Sequence, residues 1–255
     1  MVRKRVLMAL ALVAALGLTA AACGGDDSSS SSATTAAGGA TTTAKGTTTT
    51  EAQITATLAS SGATFPKPFY EEAISSFKKV QPGITQAYGA GGSGKGRQDL
   101  ADGLVDWAGS DGLVPAADAP KFKGGAFLYF PTVAAPITVS YNLSGVTKLQ
   151  LSPDTIAKIF QRQIKVWNDP AIAADNPNVK LPATDIVVVH RSDGSGTTQN
   201  FTLFLVAASP TVWTLKSGST VEWPADTQAG NGNAGVASIV KGANGAIGYV
   251  DLSDA

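Results

Sequence analysis

Apolar and polar positions begin to alternate in a structured way only after residue 53. Residues 54–59 read as a strand. Over residues 66–80, Phe69, Ala73, Ile74, Phe77 and Val80 fall on one helical face, with Glu71, Glu72, Lys78 and Lys79 largely outside it. That spacing predicts an amphipathic helix, opened by Pro66 and Pro68 and stopped by Pro82-Gly83. A weak strand at 84–88 leads into the glycine-rich run GAGGSGKG (89–96), followed by one or two helical turns at 97–101 and a strand at 105–108.

Residues 127–143 form an extended, β-branched stretch. Ser152-Pro153-Asp154 opens a helix that runs through Phe160, with Ser152 as N-cap and Pro153 at the first position. The continuous apolar run 186–189 suits a strand buried on both faces. It passes directly into HRSDGSGTT (190–198) and then a helix with Phe201, Phe204, Leu205 and Ala208 inward. A helix at 234–241 and a closing strand at 246–250 complete the pattern. Strands alternating with helices place the chain in the α/β class, with a largely parallel sheet.

The chain start has a different character. Arg3, Lys4 and Arg5 precede the apolar run 6–22, which ends in LTAAAC at Cys23. This is the layout of a secretory signal peptide, and it is too short and small-residue-rich for a permanent membrane span. Cys23 is the only cysteine, so no intramolecular disulfide can form. Its surroundings resemble the lipobox of bacterial lipoproteins, with Ala20 where Leu is usual. Residues 1–23 are therefore expected to be a lipoprotein signal peptide, with Cys23 as the lipidated residue. Residues 24–53 are Ser, Thr, Gly and Ala almost throughout, which cannot bury enough surface to offset the entropy of ordering, and they read as a tether. The expected location is the extracytoplasmic face of a cell membrane. A formal net charge of zero gives no electrostatic reason for a nucleic-acid partner. One His and one Cys supply no thiolate or imidazole metal cluster, and no metal or cofactor is expected.

Two loops carry the candidate chemistry. In both, a strand leads through a glycine-serine turn into a helix, which places free backbone N–H groups and the positive end of a helix dipole at one point. Ser93, Ser195 and Thr197 add hydroxyls. Gly89 to Lys95 fits the first seven positions of a P-loop, but Gly96 stands where Ser or Thr must ligate Mg²⁺. The run also fits G-x-G-x-x-G, although the following helix is too short for a full dinucleotide unit. A G-x-S-x-G nucleophile elbow is absent. Asp193 reads as a salt partner fixing Arg191, His190 as a structural residue beside a buried strand, and Asp111 equally as a turn residue or as a hydrogen-bond acceptor.

Taken together, SGATFPKPFY (61–70), GGSGKG (91–96), VDWAGSD (105–111), IKVWNDPAI (164–172), VVHRSDGSGTT (188–198) and NGAIGYV (244–250) resemble the phosphate-binding subunit of ABC-type phosphate importers. The resemblance covers nearly everything from residue 54 onward. It implies a two-lobed periplasmic-binding-protein fold, type II-like, with residues 54–130 as a partial first lobe and 131–255 as the second. The return part of the first lobe would be missing. It further implies that Thr64 and Phe65 bind phosphate at a helix N-terminus, that Ser93 donates and that Asp111 accepts. From the other lobe, Arg191 would supply a guanidinium, and Ser195, Gly196 and Thr197 N–H and hydroxyl donors, with Asp193 holding Arg191. The implied role is non-catalytic, that of a monomer capturing inorganic phosphate for a membrane permease. The competing readings are a secreted phosphatase or hydrolase using Ser195 or Ser93, and a binding protein for another tetrahedral oxyanion.

Overall fold

Residues 53–255 are described by a computed structural model; the expected signal peptide, Cys23 and the expected tether up to residue 52 lie outside the described residues. The first part builds β1 (Ala56–Gly62), α1 (Lys67–Val80), β2 (Ile84–Ala90), α2 (Ser93–Ala101) and β3 (Trp107–Gly109). Its three strands form a fully parallel sheet in the order β2-β1-β3. The second part builds β4 (Ile137–Asn142), α3 (Pro153–Phe160), α4 (Pro170–Asp175), β5 (Val187–Arg191), α5 (Gly196–Ala208), β6 (Gln228–Gly230), α6 (Gly232–Gly242) and β7 (Ala246–Asp251). Its sheet runs β4-β7-β5-β6, with β4 antiparallel to β7 and the other pairs parallel.

Several elements fall where the pattern puts them. Ser152 caps α3, its side chain accepting from the Thr155 N–H at 3.3 Å, with Pro153 at the first helical position. In β5, Val188 and Val189 are fully buried, as an apolar run between two neighbouring strands requires. Three expectations need correction. The stretch 127–143 is a strand only over Ile137–Asn142, because residues 127–136 find no neighbouring strand to pair with. In α5 the inward positions are Thr198, Phe201, Thr202 and Leu205, while Phe204 and Ala208 are exposed. The hydroxyls turn inward because each finds a partner, Thr198 on the Tyr249 hydroxyl and Thr202 on the Thr198 carbonyl. The glycine-rich run is not a loop ahead of a helix at 97–101: α2 already begins at Ser93.

The main core lies wholly in the second part. Trp167, Phe160, Ile159, Ile172, Ile186, Leu205, Ile247 and Tyr249 are fully buried and packed together, and a smaller cluster joins β5, β7 and α6 through Val189, Val236, Val240, Ala246 and Val250. In the first part, Tyr70, Tyr88 and Trp107 gather with ring centroids 4.8–5.4 Å apart.

Strand register decides where the loops emerge. Gly62 lies opposite both Ala90 and Gly109, so the three parallel strands end at one edge. From that edge leave Thr64-Phe65, residues 91–94 and Ser110-Asp111. In the other sheet, Arg191 pairs with Gly230, and parallel β7 ends beside them at Asp251. Ligands of open α/β sheets bind outside the carboxyl ends of parallel strands. Both sheets bring such ends to the same place.

Candidate anion site between two glycine-rich loops

The glycine run and the HRSDGSGTT loop are in direct contact. The Gly94 N–H donates to the Gly194 carbonyl at 2.7 Å. Gly92 has φ of 90°, a left-handed conformation that favours glycine, and a Cβ there would collide with Asp193 Oδ2 and the Gly194 carbonyl. At Gly196 a Cβ would lie 2.5 Å from Ser93 Oγ and 2.7 Å from Asp111 Cβ. These glycines permit two backbones to meet. They do not form a P-loop cradle, because the Gly91 and Gly92 N–H groups both donate to the Gly62 carbonyl.

Ser93 is fully buried. Its Oγ accepts from the Asp111 N–H at 3.2 Å and donates to Asp111 Oδ2 at 3.3 Å. The Asp111 carbonyl in turn accepts from Asn200 Nδ2 of α5 at 2.8 Å. Burial, reinforced by the nearby Asp251 carboxylate, pushes the Asp111 carboxyl up to about 7, against the opposing pull of the Ser93 hydroxyl and of Arg191 and Arg97.

Arg191, at the end of β5, is 4% exposed. Its Nε donates to Asp193 Oδ1 at 2.8 Å and its Nη2 lies 2.5 Å from Asp193 Oδ2, a two-point pair that fixes the guanidinium plane. Nη1 donates to Asn233 Oδ1 at 2.7 Å and reaches Thr197 Oγ1 at 3.4 Å. Asp193 also accepts from the Gly232 N–H at 3.0 Å. Although burial works against it, the Arg191 hydrogen bonds and charge hold the Asp193 carboxyl below the usual range.

Ser195 is the N-cap of α5. Its Oγ accepts from the Thr198 N–H at 3.1 Å, while its own N–H donates to the Ser219 carbonyl at 2.9 Å. The N–H groups of Gly196 and Thr197 are the first two of the helix, which intrahelical bonding leaves unpaired, and neither meets an acceptor among the described residues. The same holds for the N–H groups of Thr64 and Phe65, just ahead of α1. Thr64 reaches α6 of the second part, its Oγ1 accepting from the Asn233 N–H at 3.4 Å. Phe65, Ser110, Asp111, Asn200 and Asp251 all line one cavity of about 1280 Å³.

The structure thus brings Ser93, Asp111, Arg191, Asp193, Ser195, Gly196 and Thr197 together, with Thr64 and Phe65 at the margin. Lys95 stands apart in an ion pair with Asp99, 2.7 Å long. His190 bonds the Arg191 carbonyl through Nδ1 at 2.9 Å and stacks on Trp223, and burial lowers its pKa. Two residues escaped the sequence reading. Asn233 sits in the first turn of α6, behind the glycine-rich AGNGNAG (229–235), a third run of the kind that drew attention to the other two. Asp251 ends β7, a position that strand topology marks and composition does not.

Two α/β sheets whose carboxyl-end loops meet at a buried, charged cluster define a binding-protein architecture. Over residues 19–255 the sequence matches the family model described as a PBP superfamily domain, and the chain belongs to that superfamily. It is 39% identical over 215 residues to the phosphate-binding protein PstS of Methanocaldococcus jannaschii, covering 80% of this chain and 55% of that one. It is 40% identical over 201 residues to the PstS of Pasteurella multocida, covering 77% and 57% respectively. The chain spans about half the length of the curated relatives it matches. Among solved structures, the high-affinity periplasmic phosphate-binding protein PfluDING, bound with phosphate, superposes with a TM-score of 0.62 at 25% identity, over 76% of this chain and 56% of that one. An ABC-type phosphate transport receptor from Vibrio cholerae shares the fold, with a TM-score of 0.54 at 18% identity over 78% and 73%.

Proposed function

We propose that the protein captures inorganic phosphate outside the cytoplasm and delivers it to an ABC-type membrane permease, without catalysing a reaction. The observation that carries this reading is the meeting of the two loops. Asp111, an acceptor whose carboxyl is raised to about 7, packs against Gly196, whose N–H and that of Thr197 are unpaired among the described residues, and the Arg191 charge acts on it. Phosphate near neutral pH carries an O–H donor as well as acceptor oxygens, and sulfate carries none. A site matched to a donor discriminates against an analogue lacking it by roughly 10⁴–10⁵. The names of the relatives in Methanocaldococcus jannaschii and Pasteurella multocida support the same ligand.

In this reading, residues 54–130 and 131–255 act as two lobes closing on the ion. Ser93, Asp111 and the N–H groups of Thr64 and Phe65 come from one, and Arg191, Ser195, Gly196 and Thr197 from the other, with Asp193 holding Arg191. Cys23 would carry a lipid and residues 24–53 the reach from the membrane. Among the described residues no helix is long and apolar enough to cross a membrane. The test is calorimetric titration of the full chain with phosphate and with sulfate. Saturable one-to-one heat with phosphate and none with sulfate is expected, and Asp111→Asn should erase the preference. An unchanged preference would remove Asp111 from the acceptor role, and equal heats from both anions in the unaltered chain would defeat the phosphate reading.

A further inference from the structure

Asp251 is a second buried carboxylate in the same cavity, and no role in phosphate capture has so far required it. It is 3% exposed and lines the cavity together with Asp111. Its Oδ2 accepts from Thr197 Oγ1 at 3.2 Å and from Asn233 Nδ2. Thr197 is fully buried, and its hydroxyl owns a single proton. That proton has two acceptors within reach, Asp251 Oδ2 and, farther off at 3.4 Å, Asn233 Oδ1, and while it points at either it cannot point at an anion. The charge balance sharpens the difficulty. Arg191 is already paired with Asp193, so its charge is not free to offset Asp111 and Asp251. Arg97 is the other cation acting on Asp111, bonded to Ser110, Gly112 and Gln199. Two ionised carboxylates would repel the ligand the site is built to hold.

We propose that Asp251 is a proton-controlled positioning residue acting through Thr197. Ionised, it holds the Thr197 hydroxyl proton. Protonated, it donates its own O–H to Thr197 Oγ1, and the Thr197 proton then has only the longer bond to Asn233 Oδ1 to give up in donating to a bound oxyanion. The role rests on the phosphate reading of the site. The proton comes from solvent or from the incoming ion, and no covalent bond changes apart from the O–H. The groups facing Asp251 are Thr197 of α5, Asn233 of α6, Arg191 of β5, Asp254 of the closing 3₁₀ turn and Asp111 across the cavity. Burial outweighs the pull of Thr197, Asn233 and Arg191 and raises the Asp251 carboxyl above the usual range. An anion arriving beside it adds to the same shift. The consequence is that binding takes up a proton at Asp251, so affinity falls as pH rises. Each whole proton so linked is worth about tenfold in affinity per pH unit.

The experiment is calorimetry of the full chain with inorganic phosphate from pH 6 to 8.5, in pairs of buffers whose ionisation heats differ, so that proton uptake is counted directly. Asp251→Asn should lower the uptake and flatten the fall in affinity. Phosphate's own titration is common to both chains and cancels in the difference. Thr197→Val removes the hydroxyl without touching Asp251. It should weaken binding strongly at pH 6, where the hydroxyl is free, and much less at pH 8.5. Identical proton uptake in Asp251→Asn and the unaltered chain would overturn the proposal. An equal loss from Thr197→Val at both pH values would overturn it too, and that variant alone decides if Asp251→Asn fails to fold. An unaltered chain that responds to sulfate but not to phosphate defeats the phosphate reading instead, and the Asp251 comparison is then read with sulfate by the same criteria.

Discussion

The helices α1 and α3 are alike in sequence logic and opposite in what surrounds them. Each opens on proline, carries an amphipathic pattern and ends with lysine in its last turn. In α3 the apolar face is covered: Thr155, Ile156, Ala157, Ile159 and Phe160 are buried, with Phe160 edge-on to Phe201 of α5 in the core of the second part. In α1 no residue is buried, and Phe69 and Phe77 are each 44% exposed, Val80 60%. The same contrast runs through the sheets. In β7 every residue is buried, whereas in β2 exposed and half-buried positions alternate and none is buried. Local pattern forms a helix or a strand, but only a packed partner turns its apolar face into stability. The second part holds its half of the site on a core. The first part presents Ser93 and Asp111 from elements that share backbone hydrogen bonds but little buried apolar surface.

The largest expected effect tests that contrast from the stable side. Trp167 is fully buried, and its Nε1 donates to the Gly245 carbonyl at 2.9 Å. Truncating a buried aromatic of this size typically costs about 3–5 kcal/mol through lost burial and the cavity left behind. Urea unfolding of Trp167→Ala should therefore show a large drop in midpoint. A loss below about 1 kcal/mol would mean that the second part does not own the stability assigned to it.

A smaller effect should come from the site half carried by the first sheet. The Asp111 carboxyl stands at about 7 in the folded chain and near 3.9 when unfolded. Between those values the folded state holds the extra proton, so stability is greatest on the acid side and declines as pH rises from about 4 to about 7. The full span is on the order of a few kcal/mol. Asp111→Asn should remove most of that decline, leaving the residual slope of the same sign that Asp251 contributes. Denaturation midpoints of the two chains at pH 4 and pH 8 decide it. Parallel pH profiles would show that Asp111 ionises in the fold as it does in water.

The sequence reading of the fold succeeded where local chemistry decides and failed where distant partners do. The Ser152 cap, the proline starts and the apolar run of β5 each determine structure within a few residues. Residues 127–136 have β-branched and aromatic content but no strand to pair with, and their fate depends on chain far away. Phe204 and Thr202 exchanged places because a buried hydroxyl with a partner costs little, and that partner is invisible in a window around α5. For the site, glycine-serine runs at strand ends pointed to Ser93, Ser195 and Thr197, whereas Asp111 and Gly196 were implied only by the family resemblance. Asn233 and Asp251 are joined to them only by three-dimensional contact. The bond from Asn233 N–H to Thr64 links positions 169 residues apart.

The smallest expected effect sharpens the comparison from the uncovered side. Phe77 projects from α1 at 44% exposure, so replacing it forfeits only about half of what a fully covered ring contributes and leaves no enclosed cavity. Phe77→Ser trades one modest helix former for another, and the expected loss is on the order of 1 kcal/mol. Its unfolding midpoint should fall only slightly below that of the parent chain, while the same change at Phe160, fully buried in α3, should cost several kcal/mol because a cavity and a lone hydroxyl would replace packed ring. If Phe77→Ser were as costly as Phe160→Ser, α1 would have to be covered in solution, and the difference between the two helices would lie in their surroundings at a given moment rather than in the folded chain itself.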